Sequence, residues 1–303
     1  MSNNNGNFES EKEETAVVKE EIKLQAYWHA LSFFSTYLGS YFIPGIIFFS
    51  YLLFLFYPHV LQISDIIILF TSPIPLIILL MIPVVIILCY LIHLFFAALI
   101  TRQWWALTEK HQPSKDGIIP RNIPSKTLNY YHIRSFMIKY PKNLFVKGIF
   151  PWLTNWMFNY TKTNKIGKRT TIEEQVCGDK FMEIGENCYI GPNSVLTSHL
   201  VEGIFGNIAY FKIKLGNNIT MAALNCIAPG ADIKDNAYLL PLAAASKFNS
   251  LKGNNYYFGI PLRKIFKKKV MEYLQLTEED LKRDEILKQK LKEKWNIHTK
   301  EEK

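Results

Sequence analysis

The stretch from Leu215 to Leu239, LGNNITMAALNCIAPGADIKDNAYL, decides the fold of the second half of this chain. An apolar residue returns at every sixth position: Leu215, Met221, Ile227, Ile233 and Leu239. Towards the N-terminus the same spacing returns at five more positions: Ile166, Ile172, Ile184, Ile190 and Leu196. Two runs with one period indicate internal repeats.

A smaller residue stands four positions after most of these apolar leaders: Thr170, Val176, Cys188, Ser194, Ala231, Ala237 and Ala243. A six-residue step fits one short strand plus a turn, so three steps close a triangular coil with leader and small residue inside. Glycine follows the leader at four places, Gly167, Gly185, Gly191 and Gly216, where we expect tight corners. The period predicts a left-handed parallel β-helix, a hexapeptide-repeat solenoid, over 166–265.

The first half of the chain is apolar. Between Lys23 and Arg102 the only formally charged residue is Asp65. Two apolar segments, at about 31–60 and 66–100, each exceed the roughly 20 residues that span a hydrocarbon core. The fold class predicted for the whole chain is therefore transmembrane α-helices, then an all-β left-handed parallel β-helix, then a C-terminal α-helix.

The charges flanking these segments predict their orientation. The connection at 57–65 has no Lys or Arg, whereas five basic residues follow the second segment: Arg102, Lys110, Lys115, Arg121 and Lys126. The positive-inside rule then gives a multi-pass membrane protein with both termini and the β-helix in the cytoplasm. Because Pro75 and Pro83 lie early in the second segment, we expect its continuous helix to begin near one of them.

Composition divides the chain into a disordered tail (1–23), a transmembrane helical region (24–102), an interfacial linker (103–165), the β-helix domain (166–265) and a C-terminal helical extension (266–303). Thr277 is the expected N-cap of that extension. The linker mixes aromatic residues with lysines, which suits either a nucleic-acid surface or a headgroup boundary. Its place directly after a span favours membrane lipids as partners and no nucleic acid, and we interpret the net charge of +9 in the same way.

The hexad register breaks between Leu196 and Leu215, a gap that we count as three hexads plus one residue. We expect an excursion at 202–212, with His199, the only histidine of the repeat region, just before it. An imidazole suits the base that acyl transfer needs, and Glu202 is a candidate to orient or charge-stabilise it. A lone histidine also suits a surface corner or a stack filler, and that alternative stays open here.

The four cysteines show no C-x-x-C spacing: Cys89, Cys177, Cys188 and Cys226. The sequence therefore does not indicate disulfide stapling. The three cysteines among the strands are expected to act as small hydrophobes, with a thiol nucleophile as the alternative.

The end of the repeats resembles the left-handed β-helix acyltransferases. The stretch Gly259-Ile260-Pro261-Leu262-Arg263 is similar to their closing Gly-x-Pro-Ala-Lys turn, with leucine for the small residue and arginine for the lysine. A narrower resemblance is to the membrane-bound C-terminal domains of polylysine-synthetase-type nonribosomal peptide synthetases. The stretch 197–202, TSHLVE, is similar to their Thr-His-Leu-Phe-Glu motif, although Ser198 is added, and the likeness extends over about 160–265.

The resemblance implies a homotrimer with its active site between neighbouring subunits. It implies His199 as general base, with Glu202 as a second catalytic residue; Asn225 and Arg263 are our candidate substrate-binding residues. The donor is expected to be an acyl-CoA or a carrier-protein thioester supplied from elsewhere, with no tightly bound cofactor. Related γ-class carbonic anhydrases bind zinc through three histidines from two subunits. One histidine per chain predicts no metal, with three copies of His199 near a threefold axis as the open alternative.

Three functions follow from these observations. The leading hypothesis is a membrane-bound acyl- or aminoacyl-transferase that moves its group from a thioester donor to an amine or hydroxyl, with His199 as base. The alternatives are a CoA-dependent acetyltransferase acting on a membrane-anchored sugar or lipid, and a non-catalytic trimeric membrane scaffold. The position of the His199 ring, open to a cleft or enclosed, is expected to discriminate between them.

Overall fold

A computed structural model describes residues 26–121, 123–173, 178–203 and 206–265, and beyond them 271–272, 275, 277–280, 282–283, 285–286 and 289. The predicted tail at 1–23 lies outside these residues, as does most of the predicted C-terminal extension. Within that extension Asp280 N–H donates to Thr277 Oγ1 (3.3 Å), and Thr277 N–H donates to the Asp280 carboxylate (2.9 Å). The reciprocal pair confirms Thr277 as an N-cap.

The first half is helical. Helix α1 (Ala26–Tyr51) continues as a π-helical segment (Leu52–Leu61), and α2 (Ile66–Thr71) precedes the long α3 (Pro73–His111). Two helical stretches, 27–61 and 73–111, are long and apolar enough to cross a membrane by length and composition, with mean hydropathies of 1.8 and 3.0. Only 17% of the most apolar window of each is buried within the chain, so their outer faces are exposed apolar surface.

The second apolar helix begins earlier and ends later than the sequence predicts. It starts at Pro73, after the extended Ser72, rather than near Pro75 or Pro83. Proline is tolerated there because the first helical N–H groups have no intrahelical acceptor. The helix then runs through Pro83 to His111, across the boundary predicted at residue 102.

The segment predicted as an interfacial linker (103–165) forms one strand and three helices beyond the end of α3. These are β1 (Gly117–Ile119), α4 (Lys126–Met137), α5 (Lys139–Val146) and α6 (Leu153–Thr161). Ser125 caps α4, since its Oγ accepts from the N–H of Leu128 at 3.1 Å.

Sixteen short strands follow in the part of the chain that the structure describes. They are β2 (Lys165–Ile166), β3 (Thr171–Ile172), β4 (Met182–Ile184), β5 (Tyr189–Ile190), β6 (Val195–Leu196), β7 (His199–Glu202), β8 (Asn207–Tyr210), β9 (Ile213–Leu215), β10 (Thr220–Met221), β11 (Cys226–Ile227), β12 (Asp232–Ile233), β13 (Tyr238–Leu239), β14 (Ala244–Ala245), β15 (Ser250–Leu251), β16 (Tyr256–Phe258) and β17 (Arg263–Ile265).

Most of these strands pair in parallel with the strand that lies three hexads further along the chain, as Thr220 does with Tyr238 and Tyr238 with Tyr256. Successive hexads fall in turn on three sheets, ordered β15-β12-β9-β4-β2, β17-β16-β13-β10-β5-β3 and β14-β11-β6. Three hexads per circuit give the three-sided arrangement of a β-helix, which we call the coil region (165–258). The left hand of the coil stays a prediction.

The interior of the coil region matches the repeat. All ten apolar leaders named from the sequence are at most 7% exposed. The small positions are also buried: Thr170, Cys188, Ser194, Ala231, Ala237 and Ala243. Val176 lies outside the described residues. Apolar burial along this axis is the main stabilising contribution expected for the stack.

The glycines after the leaders serve a different purpose from the one predicted. A Cβ on Gly167 would lie 2.4 Å from the carbonyl oxygen of Gly185, and one on Gly185 would lie 2.5 Å from that of Gly216. Close approach of adjacent coils, rather than a turn conformation, therefore requires glycine here.

Asparagines occupy corner positions with left-handed backbone. Asn187, Asn218, Asn236 and Asn254 have φ between 55° and 57°, a region that asparagine tolerates better than most residues. Their side-chain amides bond one another in series at 2.8, 3.0 and 3.0 Å. We call this series the asparagine ladder, and it links four successive coils along one corner.

The break in the hexad register is an inserted hairpin. Glu183 pairs with Lys214, and Tyr189 with Thr220, so both partners lie beyond the three-hexad spacing found elsewhere. Of the residues between Leu196 and Leu215, only one hexad step therefore belongs to the coil, and the others form the insertion. The prediction of three hexads plus one extra residue is wrong. The insertion also begins earlier than predicted, because His199 is the first residue of strand β7. Strand β7 pairs antiparallel with β8, and β8 pairs antiparallel with β1.

Helices from the first half cover the start of the coil region. Leu94 of α3, Phe145 of α5 and Phe158 of α6 share one buried core with the coil leaders. Asn159 bonds both the N–H and the carbonyl of Ile166, at 2.9 and 2.8 Å. The Asn159 side chain therefore pairs an open strand edge, and the linker helices pack against the coil.

Candidate functional site

His199 lies in a pocket of aromatic and charged side chains contributed by three parts of the chain. The hairpin places it opposite Tyr210, and its ring makes edge contacts with Tyr131 of α4 at 5.8 Å and with Tyr210 at 6.4 Å between centroids. The residue is half-buried. The ring is therefore partly covered by α4, with its Nδ1 atom buried.

The charges around His199 favour a neutral imidazole. Burial lowers the pKa of His199, the carboxylate of Asp179 opposes that shift, and the ammonium groups of Lys142 and Lys139 add to it. Asp179 is itself buried and accepts a hydrogen bond from Lys142 Nζ at 2.9 Å. A histidine with a lowered pKa is unprotonated at neutral pH, as a general base must be.

Two consecutive residues, Ser198 and His199, each have a buried polar atom without a hydrogen-bond partner in the described part of the chain. Among the residues that the structure describes, neither Nδ1 of His199 nor Oγ of Ser198 has a hydrogen-bond acceptor or donor, although both atoms are buried. Native proteins rarely leave buried polar groups unpaired, and exceptions concentrate at functional positions. The start of the hairpin therefore contains buried polar atoms that lack hydrogen bonds.

The two tyrosines beside the ring remain phenols. Burial raises the pKa of Tyr131 to about 12, and burial, followed by the charge of Asp179, raises the pKa of Tyr210 well above its ordinary value. They therefore supply apolar walls and neutral hydroxyl groups, not charge, at neutral pH.

A buried ionic network fixes α4, and with it Tyr131. The guanidinium of Arg134 donates to Thr108 Oγ1 (3.1 Å), Thr108 O (2.6 Å) and Ser114 Oγ (2.8 Å), and also to Gln112 O. Glu109 of α3 lies 3.4 Å from Arg134 Nε and 2.7 Å from Lys180 Nζ. The end of α3 is therefore tied both to α4 and to the segment that carries Asp179.

Sequence reasoning missed this surrounding set: Tyr131, Lys142, Asp179 and Arg134. The linker was interpreted as a membrane-surface segment, and no local spacing connects these residues to His199. The contact depends on α4 and α5 folding over the hairpin. The one available signal was the density of charged residues in a segment otherwise rich in aromatics.

The structure does not bring Glu202 to the His199 ring. Residues three apart on a strand point to opposite faces, and the Glu202 carboxylate accepts from Lys247 Nζ at 2.5 Å. The acidic residue whose charge reaches His199 is Asp179. Glu202 therefore does not orient the ring in this structure, and its catalytic role stays a prediction.

The two predicted substrate-binding residues lie apart from the hairpin. Asn225 is 1% exposed, donates to Ala222 O at 2.6 Å and accepts from the N–H of Ala243 at 3.1 Å. A buried amide bonded to two backbone groups fits a structural role and argues against contact with substrate. Arg263 is exposed and lies in β17, at the far edge of the coil region beside Phe258.

The cysteines do not form a reactive site in the described chain. Cys188 is buried inside the coil region, where burial raises the pKa of its thiol. Cys89 lies on α3 and Cys226 is exposed, while Cys177 lies outside the described residues. The described ranges contain no group of three or more His, Cys, Asp or Glu side chains arranged to hold a metal ion.

Two large cavities lie near the linker. One of about 830 Å³ lies between the α5–α6 connection and the first coil, with Trp152, Asn155 and Thr171 in its lining. Another of about 610 Å³ lies between α3 and α4. His199 lines neither of these two cavities.

No family model matches the chain, and no curated protein matches it. Similar solved structures are hexapeptide-repeat acetyltransferases. A maltose O-acetyltransferase from Clostridium difficile 630 has 21% identity over 35% of this chain and 59% of its own, with a TM-score of 0.32. A hexapeptide-repeat acetyltransferase from Vibrio cholerae O1 biovar eltor, complexed with acetyl coenzyme A, has 12% identity over 47% and 89%, with a TM-score of 0.38.

A galactoside acetyltransferase in complex with coenzyme A has 19% identity over 56% of this chain and 81% of its own, with a TM-score of 0.30. This chain spans less than two thirds of the maltose enzyme (59%) and of another Vibrio cholerae acetyltransferase structure (64%). Likenesses this distant do not assign an activity to the chain. The resemblance to polylysine-synthetase domains stays a prediction.

Proposed function

We propose that this protein is a membrane-bound acyltransferase in which His199 is the general base. One observation carries the proposal: a half-buried histidine with a lowered pKa stands on an inserted hairpin, beside the carboxylate of Asp179 and with buried Nδ1 unpaired. Loops inserted into rigid scaffolds commonly carry function.

In the proposed reaction, Nε2 of His199 takes a proton from an acceptor hydroxyl or amine while its oxygen or nitrogen attacks the carbonyl carbon of a thioester. Nε2 is assigned because Nδ1 is enclosed by protein. The carbon–sulfur bond then breaks, and the leaving thiolate takes the proton back from the imidazolium. The negative charge of Asp179 stabilises the imidazolium that forms between these steps.

The donor in this proposal is an acyl-CoA or the thioester of a carrier protein, and the transferred group is acyl or aminoacyl. The acceptor is carried by the membrane, since the two apolar helices are proposed to cross the bilayer with the coil region on the cytoplasmic side. The basic residues that follow α3 support that orientation.

We further propose a homotrimer. Leu224 and Leu242 lie three hexads apart, on one corner of adjacent coils, and both are more than half exposed. Exposed leucines repeated on adjacent coils form an apolar strip suited to contact with a second subunit. Native mass spectrometry of the detergent-solubilised protein measures the subunit number directly.

A non-catalytic scaffold is the second candidate, and one observation favours it: neither large cavity reaches His199. The deciding experiment measures thiol release by the full-length protein in lipid nanodiscs, with acetyl-CoA, longer acyl-CoAs and aminoacyl thioesters offered beside amine, sugar and lipid acceptors. Acceptor-dependent thiol release supports the transferase and identifies the donor. If the wild type consumes no donor across the panel, the scaffold replaces it.

A further inference from the structure

The cavity of about 610 Å³ lies between the last turns of α3 and helix α4. One face of α3 and one face of α4 form its long walls, and Trp28 of α1 closes one end. Gln112 Nε2 donates to Thr127 Oγ1 at 3.0 Å, so the end of α3 meets the start of α4 at the opposite end.

The lining changes in polarity along the two helices. Trp104 lies about two turns before His111 on α3, Ile133 lies about two turns after Lys126 on α4, and the rings of Trp28 and Trp104 are 6.3 Å apart. The apolar lining is therefore separated from the polar lining formed by His111, Lys126 and Asn129. Trp104 is held in place because its indole N–H donates to Ser35 Oγ at 2.7 Å. An apolar end and a basic end in one cavity match a molecule that is itself amphipathic.

The basic end is available to bind an anion. Lys126 is exposed and forms no ion pair with any residue that the structure describes. His111 donates from Nδ1 to the carbonyl of Leu107 at 2.8 Å, which leaves Nε2 as its outward nitrogen. The ammonium of Lys126 and the side-chain amide of Asn129 offer donors to phosphate oxygens, and Nε2 of His111 donates as well when the ring is an imidazolium.

We propose that this cavity binds a lipid whose headgroup is a net-anionic phosphate, as in phosphatidic acid, with no cationic group to offset its charge. The phosphate lies between His111 and Lys126, and the first part of an acyl or prenyl chain lies against Trp28, Trp104 and Ile133. A soluble phosphate does not account for the apolar end, and an uncharged lipid does not account for the basic end. The site is separate from His199, so it stands whether or not acyl transfer is the activity.

The experiment measures lipid retention by native mass spectrometry on the full-length protein, titrated in detergent with phosphatidic acid, phosphatidylcholine of the same chains, or inorganic phosphate. Lys126→Gln removes the charge at the basic end, and Leu107→Trp fills the cavity from its wall. Lys115→Gln removes an exposed charge that does not line the cavity and is the matched control. Size-exclusion profiles and thermal unfolding confirm that each variant is folded.

We predict one saturable phosphatidic acid per chain that phosphatidylcholine does not displace. Lys126→Gln weakens its apparent Kd roughly fivefold, as expected for one basic residue near an anionic headgroup. Leu107→Trp abolishes retention, and Lys115→Gln changes the Kd by less than about twofold. Equal retention of phosphatidylcholine, equal loss in both lysine variants, or displacement by inorganic phosphate at matching concentrations overturns the proposal.

Discussion

Replacing Arg134 by methionine is expected to destabilise the junction between α3, α4 and the hairpin. The side chain is 6% exposed, and its guanidinium supplies the hydrogen bonds that join the last turn of α3 to α4. Methionine keeps the apolar length of arginine and removes every donor. The substitution therefore isolates the polar contacts from the packing.

Breaking a buried ion pair by removing one partner costs about 3–5 kcal/mol. The cost here lies near the lower end, about 3 kcal/mol, because Glu109 keeps Lys180 at 2.7 Å and Ser114 Oγ at 2.6 Å. At roughly 2–4 °C per kcal/mol, the melting temperature falls by about 6–12 °C. Thermal scans in one detergent at one fixed rate measure it, since membrane proteins often unfold irreversibly.

Arg102→Met is the matched control. Arg102 lies over the Tyr160 ring at 4.6 Å and is less buried, so its loss costs about 0.5–1 kcal/mol. We therefore expect a clear difference between the two variants. A fall of under about 2 °C for Arg134→Met, or equal falls for both, would refute the role of the buried network.

Two further predictions concern pH and the coil corners. Transfer needs the neutral ring and is therefore lost as pH falls through the lowered pKa of His199. The stability contribution of His199 is complete above the ordinary pKa of an unfolded histidine and is lost as pH falls from there through the lowered pKa, because the unfolded chain binds the proton more readily than the folded one. Asp179→Asn removes the charge that raises the pKa of His199, so the acidic limb of the rate profile moves to lower pH. Lys142→Gln removes a charge that lowers the same pKa, so the limb moves to higher pH. A shift of the limb in the same direction for both variants would contradict the electrostatic assignment. In the asparagine ladder, Asn218→Gly removes two exposed side-chain hydrogen bonds and lowers the free energy of unfolding by about 1 kcal/mol. Asn218→Ala removes the same bonds and also strains the left-handed backbone, which costs about 1 kcal/mol more. Melting temperatures should therefore fall more for alanine than for glycine, and the reverse order would exclude the strain argument.

Much of the coil region could be predicted because its period is local. Each leader, from Ile166 to Leu239, occupies the interior that its spacing predicts, and the small positions pack beside them. The insertion could not be counted correctly. The same number of residues separates Leu196 from Leu215 in two arrangements: three coil hexads with one extra residue, or a single coil hexad with a longer insertion. Only the partner strand distinguishes these alternatives.

The surroundings of His199 could not be predicted because they are long-range. Tyr131 and Lys142 lie far before the histidine in the chain, and they reach it only after α4 and α5 fold over the hairpin. Asn225 failed as a substrate-binding candidate for a related reason. A polar residue inside the coil bonds the backbone of neighbouring turns, and its hexad position alone does not reveal that burial.

The most direct test of the central claim compares wild-type protein with His199→Asn in an acyl-transfer assay at about pH 8, above the ordinary pKa of histidine, with the donor and acceptor that the panel identifies. Asparagine is polar and close in size, so subunit number and melting temperature are expected to change little. We predict a loss of about 10²–10⁴-fold in kcat, the contribution typical of a general base. Transfer at an undiminished rate by the folded variant would contradict the assignment of His199.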